Sequence, residues 1–452
     1  MKPLYRCLAA SLAAFVLQGV SPSAHAQEAQ WTAAAPWPTV SAPVKQVIDK
    51  LMADPRVKRA MEFLREDDSR ALQEMVTLTE IPAPPFEEGP KAREFLHLAK
   101  ESGIAHVRLD ETGNAIAMRH GRGHGPLVVI DAHLDTVFPL GTDIKVKLRD
   151  GRYYGPGISD DTRGLAVMLS IARALNHAGI KTVGDLMFTG TCGEEGNGDL
   201  FGVKGLVRDT PNIAAFIGFE PLPLGAISTQ NTASIRYEVR YSAPGGHSFA
   251  AFGNVPSAIH AAGRAVAAIS DLKTPADPRT TFTVGILTGG RSVNTIAPDA
   301  RMEIDMRSNG MAELRAVERQ VLEMVQKAAD DENKRWGVDT LKVATKKIGE
   351  RPGGMTPSDS PLVQASLAAI RATGNKELAI VGVSTNAGVP LAAGIPTAII
   401  APGGQMYGFH ALSEAIDPKG TWQGAQTALL TILATVGVDG LTEPLVPART
   451  GR

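Results

Sequence analysis

Four short apolar runs constrain the fold more than any other feature of the chain. They lie at 127–130, 186–188, 213–217 and 397–400, and each is continuous rather than alternating. Strands that are buried on both faces read this way, whereas half-exposed strands alternate. Between the first two runs lies a helical stretch. Leu165, Met168, Leu169, Ala172 and Leu175 make one apolar stripe, Asp160 or Asp161 stands where a cap belongs, and Gly179 can end the helix. This βα alternation predicts an α/β fold with a doubly wound, mostly parallel sheet.

From about residue 230 the pattern changes. Residues 234–241 and 301–307 alternate strictly between apolar and polar, and Phe282, Val284 and Ile286 do so more loosely. Such segments are half-exposed antiparallel strands. Helical stretches near 255–272 and 311–331 are interleaved with them, and a last strand is expected at 341–344. The order is that of a ferredoxin-like βαββαβ unit. The buried-strand style then resumes. The expected organisation is a catalytic domain in two parts, 27–229 and 349–442, with a lid or dimerisation domain inserted at 230–348 and a tail at 443–452. The open sheet edge of the insert suits a partner subunit, and a homodimer is expected.

The chain has 452 residues and a net charge of -1, with no long run of either sign. Nothing in that balance points to nucleic acid or an anionic membrane surface. Residues 1–26 differ from the rest. Lys2 and Arg6 precede a short apolar segment, and Ala24-His25-Ala26 offers small residues for cleavage. This reads as a secretory signal peptide, too short to span a bilayer, so the mature protein is expected to be secreted or periplasmic and free of the membrane. Only Cys192 then remains, which excludes an intramolecular disulfide. It reads as a small buried filler whose pKa the adjacent Glu194 and Glu195 would raise.

Each apolar run is followed by residues that carry chemistry. His133 and Asp135 follow the first, Glu194 and Glu195 the second, Glu220 the third and His410 the fourth, while Asp160 and Asp161 open the helix. All fall at the carboxyl ends of predicted parallel strands, where open α/β sheets bind ligands. Two imidazoles and several carboxylates suit a pair of divalent ions with a bridging carboxylate and a shared water. Asp135, two residues from His133, is placed to orient its ring. Adjacent side chains diverge, so one of Glu194 and Glu195 binds an ion while the other faces the water as general base.

These segments resemble those of the co-catalytic zinc exopeptidase and amidohydrolase family that includes carboxypeptidase G, tripeptide aminopeptidase, aminoacylase, acetylornithine deacetylase and succinyl-diaminopimelate desuccinylase. The resemblance rests on His133-Leu134-Asp135-Thr136-Val137, Tyr154-Gly155-Pro156-Gly157 leading to Asp160-Asp161, Glu194-Glu195, Phe219-Glu220-Pro221 and Gly408-Phe409-His410. It implies that Asp160 bridges two Zn2+ ions, with His133 and Glu220 on one and Glu195 and His410 on the other. Glu194 would be the base. Ala243-Pro244-Gly245-Gly246-His247-Ser248 resembles the family's lid segment, whose His reaches the partner subunit's site and stabilises the oxyanion. Asn294 and Arg307 would hold the substrate carboxylate, a task that suits Arg.

The chain departs from that pattern at Thr162, where many relatives carry Lys, and at Asn386, where some carry Asp. The expected activity is hydrolysis of a peptide or amide bond in small peptides. An N-acyl-amino-acid deacylase would use the same residues, and a non-catalytic binding protein would have lost the base or a ligand. Ligand type does not separate Zn2+ from Co2+ or Mn2+.

Overall fold

The computed structural model describes residues 37–377 and 379–451. The expected signal peptide at 1–26 lies outside these residues. A nine-stranded sheet forms the centre. Its four middle strands are, in spatial order, Asp185–Thr191, Leu127–His133, Ile213–Phe219 and Thr397–Ile400. They pair in parallel with one another. Leu127–His133 and Ile213–Phe219 are buried at every position, which is the physical reason for their unbroken apolar sequence. Antiparallel strands flank them, Ala115–Arg119 on one side and Ala226–Asn231 on the other. The mostly parallel α/β architecture is therefore borne out.

The helix Thr162–His177 starts directly after Asp161 and is buried continuously from Thr162 to Leu175. A single apolar stripe understates this burial. Two further helices, Pro55–Glu66 and Asp68–Thr79, pack against it, so its far face is also covered. Its buried Arg173 is matched by Asp67 at 2.6 Å and Glu74 at 2.8 Å. A charge can be held there only because it is paired.

A four-stranded antiparallel sheet is built from residues 233–351. Its spatial order is Thr280–Gly289, Asp299–Ser308, Ala233–Ser242, Lys342–Arg351. The helices Ala258–Ser270 and Met311–Trp336 cover one face. Ile235, Val239, Met302, Ile304 and Val321 are among the residues of the resulting core. Asp299–Ser308 alternates in burial along its length, as its sequence does. The connectivity is the ferredoxin-like order. The last strand runs to Arg351, well beyond the expected 341–344, and this extension returns the chain to the central sheet.

A small sheet joins Lys147–Arg149, Arg152–Tyr154, Ala415–Asp417 and Gln405–Tyr407. It draws the loop 408–414 onto the loop before Asp160. Among the described residues, no helix is long and apolar enough to cross a membrane.

Candidate metal centre

His133 is the last residue of its strand. Its Nε2 lies 2.9 Å from Asp160 Oδ1, and its Nδ1 donates to the main-chain carbonyl of Asp135 at 2.9 Å. That second bond aims Nε2 at the acidic cluster. His410, with φ at 62°, turns inward from its loop. Its Nε2 lies 2.9 Å from Glu195 Oε1 and 3.2 Å from Asp160 Oδ2. Glu220 follows its strand and accepts a hydrogen bond from the Thr385 hydroxyl.

Three overlapping sets each bring one ligand atom per residue to within 4.8 Å of the others. They are His133, Asp160 and Glu220; Asp160, Glu195 and His410; and His133, Glu194 and Glu195. The first two sets share Asp160. The structure thus brings together all five residues expected to ligate metal.

Electrostatics give an independent test of whether these residues fit divalent ions. Burial pushes the Glu220 carboxyl well above its ordinary range, and the Asp160 charge adds to the effect. Burial likewise pushes Glu194 up to about 7, against the opposing Arg351 guanidinium. The Asp160 and Glu195 carboxylates lift His410 to about 10. Burial pulls His133 down, but Asp160, Asp135 and Glu220 outweigh it and hold it well above its usual value. Asp160 goes the other way. Burial raises its carboxyl, but His133 and His410 outweigh burial and hold it below its ordinary range, so the cluster combines ionised groups with proton-binding groups whose protons a divalent ion can replace. The donor set, imidazole nitrogen and carboxylate oxygen, fits divalent metal.

Asp135 acts differently from the expectation. Its carboxylate accepts from the backbone N–H of Glu194 at 2.9 Å and of Glu195 at 2.7 Å. The strand ends at His133, so the chain turns there and the side chain at 135 faces the Glu194-Glu195 loop. Its carboxylate lies 3.7 Å from the His133 ring, and it is the Asp135 carbonyl that fixes that ring. Gly193 is required nearby. Its φ is +63°, and a Cβ there would lie 2.1 Å from the Phe201 ring.

Several residues at the site were not singled out in the sequence. Arg351, buried at the end of its strand, donates to Glu194 Oε1 at 3.1 Å and to the Glu194 carbonyl. Glu414 accepts from Gly157 N–H, from the Ser159 N–H and hydroxyl, and from Asp160 N–H, at 2.7 to 3.0 Å. It clamps the loop that presents Asp160. The fully buried Lys91 donates to the Thr162 hydroxyl at 2.9 Å. An ammonium therefore reaches the position of Thr162 from another helix, Gly89–Glu101. Asn386 donates to Asp131 Oδ2 at 2.9 Å. A carboxylate at 386 would oppose the buried Asp131, so the amide suits this chain.

The three expected residues of the inserted unit are divided. His247 and Asn294 are neighbours, since Ser248 N–H donates to the Asn294 carbonyl at 3.0 Å. His247 Nδ1 accepts from Phe249 N–H at 3.2 Å, which leaves Nε2–H of the neutral ring free to donate outward. Arg307 lies apart on the sheet face, with its Nε 2.7 Å from Asp305 Oδ2. Cys192 is buried, and burial raises its thiol most. Among the carboxylates that add to the effect, Glu88, Asp135, Asp110 and Asp131 add most.

Comparisons with known proteins bear on the family and the fold. Over 115 residues the chain is 31% identical to carboxypeptidase G2 of Pseudomonas sp., a match covering 25% of this chain and 27% of that relative. The chain therefore matches only about a quarter of the length of that protein. A tripeptidase from Staphylococcus aureus superposes with a TM-score of 0.68 at 20% identity, covering 81% of this chain and 97% of the other. A dinuclear metal binding peptidase from Bacillus subtilis superposes with a TM-score of 0.61 at 16% identity, covering 82% and 100%. The description "Peptidase family M20/M25/M40" matches residues 129–434, and the chain belongs to that family.

Proposed function

We propose that this protein is a two-metal hydrolase that cleaves a peptide or amide bond in small peptides or N-acyl amino acids. The observation that carries the reading is the pair of ligand sets sharing Asp160, with Glu194 beside them. His133, Asp160 and Glu220 would hold one ion, and Asp160, Glu195 and His410 the other, with Zn2+ suited to both. Divalent ions bound there supply Lewis acidity toward the scissile carbonyl and acidify water.

The chain's own residues do the rest. Glu194 takes the proton of the attacking water and passes it to the leaving amine, and Arg351 fixes the carboxylate for that task. Asp135 and Glu414 hold the two loops that carry Glu194, Glu195 and Asp160. His247 of the partner subunit donates from Nε2 to the developing oxyanion in a homodimer. The exposed Ile286 and Leu287 on the edge strand Thr280–Gly289 support such pairing. Asn294 and Arg307 take the substrate carboxylate. The leader at 1–26 supports a secreted or periplasmic location.

A panel of dipeptides, tripeptides and N-acyl amino acids tests the reading, with release of free amino acid followed with and without chelator. It also separates peptidase from deacylase. Glu194→Gln should lower kcat by at least ~10²–10⁴-fold while the metal content stays unchanged. Near-normal turnover by that variant would sink the mechanism.

A further inference from the structure

A cavity of about 340 Å³ opens beside the candidate centre, lined by Pro85, Phe86, Val137, Glu195, Gly196 and Asn197. Glu195 is the shared wall, since its carboxylate lies 2.9 Å from His410. Whatever bond is presented to the metal-binding residues has this cavity next to it.

Phe86 is unusual on two independent grounds. Its φ is 75°, a region that a bulky residue enters only at a cost. The residue is also 65% exposed, so burial does not repay that cost within the chain. One face of the ring stacks on Phe201, with centroids 5.2 Å apart and planes 7° from parallel. The loop that carries it is stiff, with proline at 82, 84 and 85. Thr136 N–H donates to the Ala83 carbonyl at 2.9 Å and pins that loop to the segment after His133. The outcome is a rigid aromatic platform, backed by a second ring and open toward the cavity. Val137, 36% exposed, adds an apolar wall. Pre-organised apolar surface of this kind gains its compensation from a ligand.

We propose that this pocket receives an aromatic side chain flanking the scissile bond, so that the protein selects substrates by stacking against Phe86. The inference rests on the hydrolase reading above and names the substrate class of that site. Offset stacking suits an aromatic group more than an aliphatic one, and none of the six lining residues is cationic. The Arg236 guanidinium behind Gly196 is occupied by the Gly196 carbonyl at 3.4 Å and by Asp305 at 2.8 Å.

The test uses the metal-loaded protein and matched substrates that differ at one residue, carrying Phe, Ala, Asp or Lys in turn on each side of the scissile bond. On one side, kcat/KM for Phe should exceed that for Ala by about tenfold or more. Phe86→Ala should bring that ratio down toward one, through KM rather than kcat. Val137→Asp should shift preference toward Lys, a change of selectivity that a folding defect does not produce. A wild-type protein indifferent to the side chain, or a Phe86→Ala variant that keeps the ratio, overturns the pocket and leaves the hydrolase reading intact. Failure to cleave any substrate overturns both.

Discussion

At the carboxyl edge of the central sheet, Asp131, Asp135, Asp160, Asp161, Glu194 and Glu195 are all buried. On the polar face of the inserted sheet, Arg236, Glu238, Arg301, Asp305 and Arg307 stay partly exposed. The second group is self-sufficient. Asp305 receives Arg236 at 2.8 Å and Arg307 at 2.7 Å, and Glu238 receives Arg240 at 2.7 Å and Arg301 at 2.5 Å. The first group is not. Both carboxylate oxygens of Asp161 are buried without a hydrogen bond, and Lys91, Arg351 and the His133 imidazole are buried cations among more numerous acids. Exposed charges in alternating pairs stabilise little and signal little. Buried like charges destabilise the fold unless a further cation joins them. Both regions are rich in charged residues, and only the buried acids of the carboxyl edge call for a further cation.

The largest expected effect breaks that contrast directly. A divalent ion at about a thousand times its Kd should stabilise the protein by ~4 kcal/mol, seen as a rise in Tm over the chelated form. Asp160→Asn, common to two ligand sets, should abolish this response. In chelator the same variant should be less stable than wild type, because His133 and His410 hold Asp160 ionised against burial and would lose their shared partner. Asp305→Asn should leave the metal response untouched. Equal metal stabilisation of wild type and Asp160→Asn would show that the edge is not the metal site.

A smaller effect sharpens the comparison through two lysines. Burial pulls Lys91 down to about 8, although Asp135, Asp161, Glu414 and Asp160 all attract it. Between about 8 and the ordinary 10.5 the unfolded chain therefore binds more protons than the folded one. Stability of the metal-free protein should rise with pH through that window by about 3 kcal/mol. Lys91→Met should lack the rise. Lys347 on the inserted sheet is the mirror case. Burial pulls it down, but Glu350 and Glu318 outweigh burial and raise it. Its contribution is present below 10.5 and lost as pH climbs past its folded value. Urea unfolding in chelator at pH 8 and pH 10 separates the two. Parallel profiles for wild type and Lys91→Met would remove Lys91 from the argument.

The same contrast explains what could be read in the sequence. His133, Glu194, Glu195 and Glu220 each follow an apolar run within a few residues, so strand prediction alone carries them to one edge. Arg351 and Glu414 follow no such rule. Arg351 meets Glu194 across 157 positions and Glu414 meets Asp160 across 254, contacts that depend on loop paths rather than on periodicity. Asp135 shows a third case. Its spacing from His133 was legible, but the rule of alternating side chains fails where the strand ends. Thr162 and Asn386 looked like losses. Their meaning lay in Lys91 and Asp131, side chains that approach from other elements.

The smallest expected effect concerns Arg307. Its partner Asp305 also holds Arg236, so removing Arg307 leaves no unpaired carboxylate. Arg307→Met should therefore cost less than ~1 kcal/mol of stability, and added salt should shrink the difference. A substrate role predicts something else. If Arg307 takes a substrate carboxylate, the variant should raise KM for a peptide with a free C-terminal carboxylate and leave the C-terminal amide of the same peptide unaffected. A structural pair cannot produce that split, because stability does not depend on which substrate is present. An equal change for acid and amide would return Arg307 to the self-sufficient face of the inserted sheet, and Asn294 would then be the remaining candidate for the carboxylate.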